Sequence, residues 1–511
     1  MRVEQPWMVP MDGVVESWWM ATMYQQGCDI STEVEESEEA LTAKRASGPL
    51  VHVLALGISL SNGERWKVIR TFAVKTLKSF GFGKKSIESK IQTEAQCIVE
   101  EFRNSNGESR AIFAAVSHSS PAAVEPAQRR RRSQRLAQPH SVQRVTAAFL
   151  ASAIEVSAGQ RRADSSGTKS CFSHSEHALS QPLDPEKKIM DAFSNVLCSV
   201  IFGDRFEYKD ERFIKFLKIA EDTFQLTSST WGQLKSMLPT IMKYVPGPHH
   251  RMITISVELE DFIHERVKSS IETLDPSTPR HYIDSFLIKM EEEKNNPNTE
   301  FNLKNLLMST HNLFVAGIET VSTTLRYGLL ILLRYPEIQA KIHKEIDQVI
   351  GQNRPPNFED RMEMHYTQAV IQEIHRFSDV IPLNLPHLVT RDVKFRGYQI
   401  PKGTEIYPLL CTVHRDPKQF SSPWKFDPNR FLDESGKFKK NEAVMPFSVG
   451  KRICPGEVLA RMEIFIFLTT ILQNFELTSK TQFTDSDIAP KLAGFLNTPI
   501  HYEVSFVPRD I

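Results

Sequence analysis

A single cysteine near the C-terminal end of the chain lies in a setting that favours metal binding. Residues 447–456 read FSVGKRICPG and run directly into an apolar helical pattern. Gly450 permits a tight turn, Arg452 places a permanent cation two residues before Cys454, and the following helix points the positive end of its dipole at the thiol. Cation and dipole both favour the thiolate, which is the metal-binding form. A lone free cysteine is more often a small core residue, so other motifs must decide between the two interpretations.

A second unusual stretch, FVAGIETVSTTLRYGLL at 314–330, has the pattern of a long helix. Ala316 and Thr320 are one turn apart and share a face, with Glu319 beside them. Gly317 removes a side chain in mid-helix, which costs about 1 kcal/mol relative to alanine. Close approach of a flat cofactor or of dioxygen would offset that cost, and a threonine hydroxyl facing the gap can bond locally to the helix backbone. The alternative is an ordinary buried helix with a tolerated glycine.

Two further pairs have helical spacing. Trp66 and Arg70 are four residues apart and are expected to share a helix face, where they would form a packing or cation–π contact. Glu373 and Arg376 are three apart, which is close enough for a charge-assisted pair. If that pair is buried, its remaining hydrogen bonds must be satisfied. Neither pair identifies a function by itself.

Together these motifs resemble the cytochrome P-450 family, closest to its animal microsomal family-two members. That family is the standard example of heme iron held by a cysteine thiolate. FSVGKRICPG is similar to its heme-binding loop, and the resemblance implies that Cys454 is the iron ligand of heme b (iron protoporphyrin IX). It also implies heme contacts for Phe447, Arg452 and Gly456.

AGIETV resembles the family's oxygen-activating motif. The resemblance implies catalytic positions at Ala316, Gly317, Glu319 and Thr320, where the threonine hydroxyl, with water and the acid, helps to deliver protons to dioxygen. The next residue, Val321, departs from the threonine or serine often found there. We expect this departure to leave the proton path intact because Thr320 is present.

Further positions follow from the same resemblance. GERWKVIR is similar to a helix that donates hydrogen bonds to a heme propionate, and LPHLVTRD supplies another donor. The expected propionate donors are Trp66, Arg70, His387 and Arg452. EIHR, joined by the arginine of FDPNRF, resembles a Glu–Arg–Arg triad that supports the cysteine loop. Its expected members, with a structural role, are Glu373, Arg376 and Arg430.

The elements around these motifs predict a mainly α protein with small antiparallel β-sheets (α+β). Long helical patterns alternate with turn signals, and β-branched and aromatic residues alternate within 381–430. The resemblance implies the cytochrome P-450 fold, N-terminally incomplete, because the family's early strands and part of its substrate-contact loop precede SNGERW. The predicted divisions are an atypical, disordered segment at 1–58, the heme domain at 59–108 and 182–511, and an inserted low-complexity basic loop at 109–181.

Composition restricts the function class. The 511 residues have zero formal net charge, which disfavours a nucleic-acid-binding role. The run RRRRSQR at 129–135 is more typical of a solvated loop, with a nuclear or nucleic-acid-binding arm as the alternative. Six scattered cysteines without CxxC pairs argue against a zinc site or a disulfide framework and fit a reducing compartment. No apolar run approaches the roughly 18 to 20 residues that cross a bilayer, so the chain is expected to be soluble or peripheral.

The leading hypothesis is a heme-thiolate monooxygenase that inserts one atom of dioxygen into a lipophilic small organic substrate (xenobiotic, fatty acid or steroid). The chain has no credible dinucleotide fingerprint, so electrons must come from a partner. The resemblance implies an NADPH-dependent flavoprotein reductase, with cytochrome b5 as a further partner, at the cytoplasmic face of the endoplasmic reticulum membrane. The alternative is a heme-binding but catalytically impaired or inert protein, suggested by the missing N-terminal wall and the basic insertion.

Overall fold

The computed structural model describes residues 57–59, 61–117, 181–493 and 495–509. Most of the predicted N-terminal segment and most of the predicted basic loop therefore lie outside the described residues. The first part of that loop, 109–117, is helical and continues the preceding helix. Described residues up to 107 and from 181 onward form one compact unit, and 108–117 belong to a second.

Within the described residues the protein is mainly α-helical. The α-helices are α1 Gly63–Ser79, α2 Lys85–Ser117, α3 Glu186–Ile201, α4 Glu211–Ser228, α5 Thr230–Met237, α6 Pro239–Met242, α7 Arg251–Glu272, α8 Tyr282–Glu292, α9 Leu303–Arg334, α10 Pro336–Val349, α11 His365–Ser378, α12 Leu410–His414, α13 Glu457–Asn474 and α14 Asp485–Ile488. Short 3₁₀ helices occur at Pro248–His250, Phe358–Met362, Pro428–Phe431 and Gly450–Arg452.

The strands pair into small antiparallel sheets. They are β1 His387–Leu388, β2 Val393–Phe395, β3 Tyr398–Ile400, β4 Glu405–Ile406, β5 Phe475–Thr478, β6 Lys491–Ala493, β7 Leu496–Thr498 and β8 Ser505–Pro508. Each sheet has two strands, in the pairs β1–β4, β2–β3, β5–β8 and β6–β7. His387 lies opposite Ile406 in the first of them. The predicted combination of helices with small antiparallel sheets is confirmed.

Helix α9 forms the centre of the main unit and packs against α3, α7, α11 and α13. Its N-terminus is capped by Asn302, whose side chain accepts a hydrogen bond of 3.0 Å from the Asn305 backbone N–H. Its C-terminal half is buried almost all round, as expected of a helix enclosed by other helices. It ends before Pro336, which opens α10 because proline cannot continue the helix but suits a first turn.

A buried ion pair on α11 fixes the chain that follows it. Glu373 and Arg376 have no solvent-exposed side-chain surface and form two parallel hydrogen bonds of 2.6 and 2.7 Å. Glu373 also accepts hydrogen bonds from the Asp427 backbone N–H at 2.9 Å and from Arg430 Nε at 3.2 Å. The structure thus brings together the three side chains predicted as a triad.

The remaining donors of the arginines bind backbone carbonyls. Arg376 donates to the carbonyl oxygens of His414, Pro423 and Lys425, and Arg430 donates to that of Ser421. A buried ion pair survives only when such additional bonds satisfy both partners. The triad therefore holds the segment from the end of α12 to the 3₁₀ helix Pro428–Phe431 against α11.

We predict that Glu373→Gln lowers the free energy of unfolding by about 3–5 kcal/mol, because it leaves the Arg376 guanidinium buried without a counter-charge. Urea unfolding followed by circular dichroism measures the change. The control is Glu64→Gln, which breaks the exposed Lys67–Glu64 pair of 3.2 Å on α1 and should have no measurable effect. Equal losses in the two variants would contradict the prediction.

Candidate functional site

A cavity of about 650 Å³ lies between α1, α9, the end of α11 and the loop that precedes α13. The side chains that line it are mainly apolar and include Leu313, Val380, Ile381 and Leu385. Almost all of the sequence-predicted catalytic, metal and cofactor positions line it. They are Trp66, Arg70, Ala316, Gly317, Thr320, His387, Phe447, Arg452, Cys454 and Gly456.

The loop that carries Cys454 is closed by its own backbone. The Cys454 N–H donates to the Phe447 carbonyl oxygen at 2.9 Å, and the Ile453 N–H donates to that of Gly450 at 3.2 Å. Gly450 has φ +77°, in the left-handed region that glycine adopts without strain. Ser448 also has a positive φ, and its hydroxyl accepts a 3.0 Å hydrogen bond from Asn384 Nδ2. These bonds hold Cys454 at the wall of the cavity.

The surroundings of Cys454 act on its thiol in opposite directions. The pKa of the thiol lies above its usual value, because burial and the carboxylate of Glu457 raise it by more than the backbone N–H groups of Gly456 and Glu457 and the guanidinium of Arg70 lower it. Arg70 approaches through a hydrogen bond from Nη2 to the Ile453 carbonyl oxygen. Sequence analysis expected Arg452 to be the nearby cation, but Arg452 instead packs on an indole.

Trp66 lies near two guanidinium groups at the cavity wall. The Cζ atoms of Arg452 and Arg70 lie 3.9 and 5.7 Å from the centre of its ring. Arg452 Nη2 also donates to the Ser61 carbonyl oxygen at 2.9 Å. The half-buried His387 has its pKa lowered by burial and by the positive charge of Arg452. Positive groups thus converge on one part of the cavity.

The donor set at this wall fits an anionic cofactor. Trp66 Nε1 is buried and has no hydrogen-bond partner among the described residues, which is costly for a polar group. The two guanidinium groups beside it repel each other, and a nearby anion would offset that repulsion. Carboxylate groups such as the heme propionates satisfy both requirements, and the thiol of Cys454 provides a ligand for iron. The residues present therefore fit heme.

Gly317, in the middle of α9, lies against a leucine of α3 and also lines the cavity. A Cβ added at Gly317 would lie 2.8 Å from Leu197 Cδ2 on α3, too close for an ordinary contact. Sequence analysis attributed this glycine to close approach of a flat cofactor or of dioxygen. Leu197 Cδ2 is the far end of a flexible side chain and can shift, so this contact alone does not require a glycine. Gly317 lines the cavity, and close approach of a cofactor or of dioxygen stays a prediction.

Thr320 and Glu319 face different surroundings. The Thr320 hydroxyl lines the cavity and donates to the Ala316 carbonyl oxygen at 2.9 Å, so it bonds within the helix. Glu319 is not among the cavity-lining residues and accepts a 3.3 Å hydrogen bond from Thr323 Oγ1. Burial raises the pKa of Glu319 and the charge of Arg326 opposes that shift. The structure therefore does not bring Glu319 into the cavity beside Thr320.

Several polar residues of the cavity wall were not predicted from the sequence, and Glu463 and Asn384 are two of them. Glu463 is buried on α13 and burial raises the pKa of its carboxyl well above the usual range. Its signal in the sequence is an acid directly before the apolar run IFIFL of α13. Asn384 holds Ser448, as described above, and has φ +57°. Asparagine tolerates that backbone region better than most residues, but the sequence does not show which turn requires it.

Comparison with known proteins agrees with this geometry. The sequence profile described as Cytochrome P-450 matches residues 20–125 and 144–506. Human cytochrome P-450 2A6 and mouse cytochrome P-450 2A5 are each 44% identical to the chain over 453 residues, which covers 89% of this chain and 77% of theirs. Rabbit cytochrome P-450 2G1 is 43% identical over the same shares. The chain therefore belongs to the cytochrome P-450 family of heme-containing monooxygenases.

Proposed function

We propose that this monooxygenase oxidises lipophilic small organic molecules (xenobiotics, fatty acids or steroids), with the Cys454 thiolate as the protein ligand of heme iron. The observation that carries the proposal is a mainly apolar cavity that both Cys454 and Thr320 line. An apolar wall favours apolar substrates because their binding removes hydrophobic surface from water.

The cofactor would be held at two places. Cys454 binds the iron, and the propionates accept hydrogen bonds from four donors: Trp66, Arg70, His387 and Arg452. The buried indole N–H without a partner supports this role most directly. When bound, heme activates dioxygen so that one of its atoms enters the organic substrate and the other leaves as water.

The contribution of α9 is to hold and move a proton. In the resting geometry the Thr320 hydroxyl donates to the Ala316 carbonyl oxygen, so its lone pairs remain available to accept a hydrogen bond from water in the cavity. Rotation of the hydroxyl about the Cβ–Oγ1 bond would redirect that hydrogen from the Ala316 carbonyl oxygen to a cavity group. Glu319 is the proposed reservoir, since burial raises the pKa of its carboxyl and favours the protonated form. It would exchange protons with Thr320 through water.

Electrons reach the heme from a redox partner. We infer an NADPH-dependent flavoprotein reductase, with cytochrome b5 as a second donor, at the cytoplasmic face of the endoplasmic reticulum membrane. Exposed lysines such as Lys67, Lys78 and Lys451 would attract an acidic partner surface. Within the described residues, no helix combines the length and the apolar character needed to cross a bilayer.

The proposed domain organisation keeps a single heme domain with an added segment. The family profile does not match residues 126–143, which include the arginine run at 129–135. We propose that these residues form the insertion within the longer stretch 109–181 that the sequence analysis identified. No role in binding nucleic acid is proposed for them.

We predict that Cys454→Ser abolishes the thiolate-type absorption band of the reduced protein under carbon monoxide, together with substrate turnover. A serine hydroxyl is a poor replacement for a soft thiolate ligand. The matched control is Cys97→Ser, which changes a half-buried cysteine on α2 outside the cavity. A normal band in Cys454→Ser would contradict the ligand assignment, and a normal band without turnover in the unmodified chain with reductase would favour the inert alternative.

We predict that Thr320→Val lowers product formation about 100-fold while leaving the carbon monoxide spectrum unchanged, since the variant removes a proton-transfer group but keeps the volume. Product yield per NADPH consumed measures the effect. Thr320→Ser should restore most of the yield because it restores the hydroxyl. Thr469→Val, which removes a buried α13 hydroxyl bonded to Phe465 O, should retain normal yield. An unaffected yield in Thr320→Val would exclude the role.

We predict that Trp66→Phe speeds heme dissociation about tenfold, because it removes the N–H donor and preserves an aromatic face for Arg452. Transfer of heme to an excess of apomyoglobin measures the rate. Trp424→Phe changes a tryptophan that is 70% exposed and outside the cavity, so its rate should equal that of the unmodified chain. Equal rates in all three proteins would remove Trp66 from the set of propionate donors.

A further inference from the structure

His414, the last residue of α12, connects the cavity wall to the cysteine loop. Its side chain is completely buried, and both ring nitrogens have partners. Nδ1 lies 2.8 Å from Asp379 Oδ1, and the Met445 backbone N–H donates to Nε2 at 3.0 Å. Asp379 lines the cavity, and Met445 directly precedes the cavity-lining Pro446.

The chemistry of the partners fixes the tautomer of the His414 ring. A backbone N–H only donates, so Nε2 must be the unprotonated nitrogen that accepts from Met445. The single ring proton then lies on Nδ1 and is donated to the Asp379 carboxylate. A carboxylate partner on one ring nitrogen is a common device for fixing the ring orientation and the role of the other nitrogen.

The backbone of Asp379 is held in an uncommon conformation. Its φ is +44°, in the left-handed region that aspartate and asparagine enter more readily than most residues. Asn497 Nδ2 donates to the Asp379 carbonyl oxygen at 2.7 Å, and the Asn497 N–H donates to that of Val380 at 2.9 Å. The carboxylate is therefore held rigidly opposite the imidazole.

The same histidine joins the buried ion pair to the turn that contains Cys454. Its carbonyl oxygen accepts a 2.9 Å hydrogen bond from Arg376 Nη1. On the other side, the Met445 carbonyl oxygen accepts from the Ser448 N–H at 3.0 Å, within the turn closed by the Cys454 N–H and the Phe447 carbonyl oxygen. Movement of Met445 would therefore be transmitted to the thiol.

We propose that His414, oriented by Asp379, is a positioning residue that fixes the cysteine loop by accepting the Met445 N–H. This inference rests on the proposed role of Cys454 as the heme ligand. The hydrogen bonds of His414 connect the end of α11 to the loop that carries Cys454. The hydrogen bonds of Glu373, Arg376 and Arg430 hold a different segment, from His414 to Arg430.

The test compares His414→Leu with His414→Gln in the heme-loaded protein. Leucine leaves the Met445 N–H without an acceptor, so hydrogen exchange of the peptide spanning 441–454 should rise about tenfold. The thiolate-type band under carbon monoxide should fall at least about twofold because Cys454 is less well positioned. Glutamine offers Oε1 near the former position of Nε2 and should restore both signals.

A matched control separates positioning from general destabilisation. His249 is also buried, and its Nε2 lies 2.8 Å from the Met242 carbonyl oxygen, outside the cavity. His249→Leu should lower thermal stability without changing the band or the exchange of 441–454. The inference is overturned if His414→Leu keeps normal band and exchange, or if His249→Leu reproduces its losses and glutamine fails to restore them.

Two variants of Asp379 test the same inference without changing His414. If His414→Leu does not fold, Asp379→Gly removes the carboxylate while suiting the positive φ, and a normal band and normal exchange in that variant would equally overturn the inference. Asp379→Asn retains an acceptor for Nδ1–H and should resemble the unmodified chain. A thiolate-type band that persists in Cys454→Ser would instead reject the proposed ligand, which is a separate failure.

Discussion

The buried Glu373–Arg376 pair is the interaction on which the rest of the site depends. Two opposite charges without any exposed side-chain surface are stable only if every remaining donor and acceptor finds a partner. That requirement determines the path of the chain after α12, because Arg376 must bind the carbonyl oxygens of His414, Pro423 and Lys425. A local ion pair of one helix turn thus specifies a long irregular segment that has little secondary structure of its own.

A second constraint joins α1, near the start of the described residues, to the loop that carries Cys454. Arg70 of α1 donates to the carbonyl oxygen of Ile453, and Arg452 donates in return to that of Ser61. Both guanidinium groups approach the Trp66 ring, where cation–π attraction opposes their mutual repulsion. An anion near Trp66 Nε1 would strengthen this junction, so binding of the cofactor and closure of the loop against α1 are expected to stabilise each other.

The sequence was sufficient to predict the helical pairs, because i,i+3 and i,i+4 spacing determines which side chains share a face. Trp66 with Arg70 and Glu373 with Arg376 follow this rule. It was insufficient where contacts join residues far apart in the chain. The role of Arg70 near Cys454 depends on a contact across 383 positions, and the packing of Gly317 against Leu197 joins two different helices. Neither contact leaves a periodic signal, and His414 has no motif that separates it from an ordinary buried histidine.

Helix geometry also explains why Thr320 and Glu319, the two predicted proton-transfer residues, do not meet in the cavity. Consecutive residues of an α-helix are about 100° apart around the axis, so Thr320 and Glu319 cannot both point directly at the same space. Thr320 lines the cavity, whereas Glu319 accepts a hydrogen bond from Thr323 and lies near Arg326, which pairs with Glu186 of α3 at 2.6 Å. The acid is thereby screened from the apolar cavity and kept close to a charged network. In the proposed proton path, water must therefore carry the proton between the two faces of α9, so the path would depend on hydration beside the helix as well as on the threonine hydroxyl.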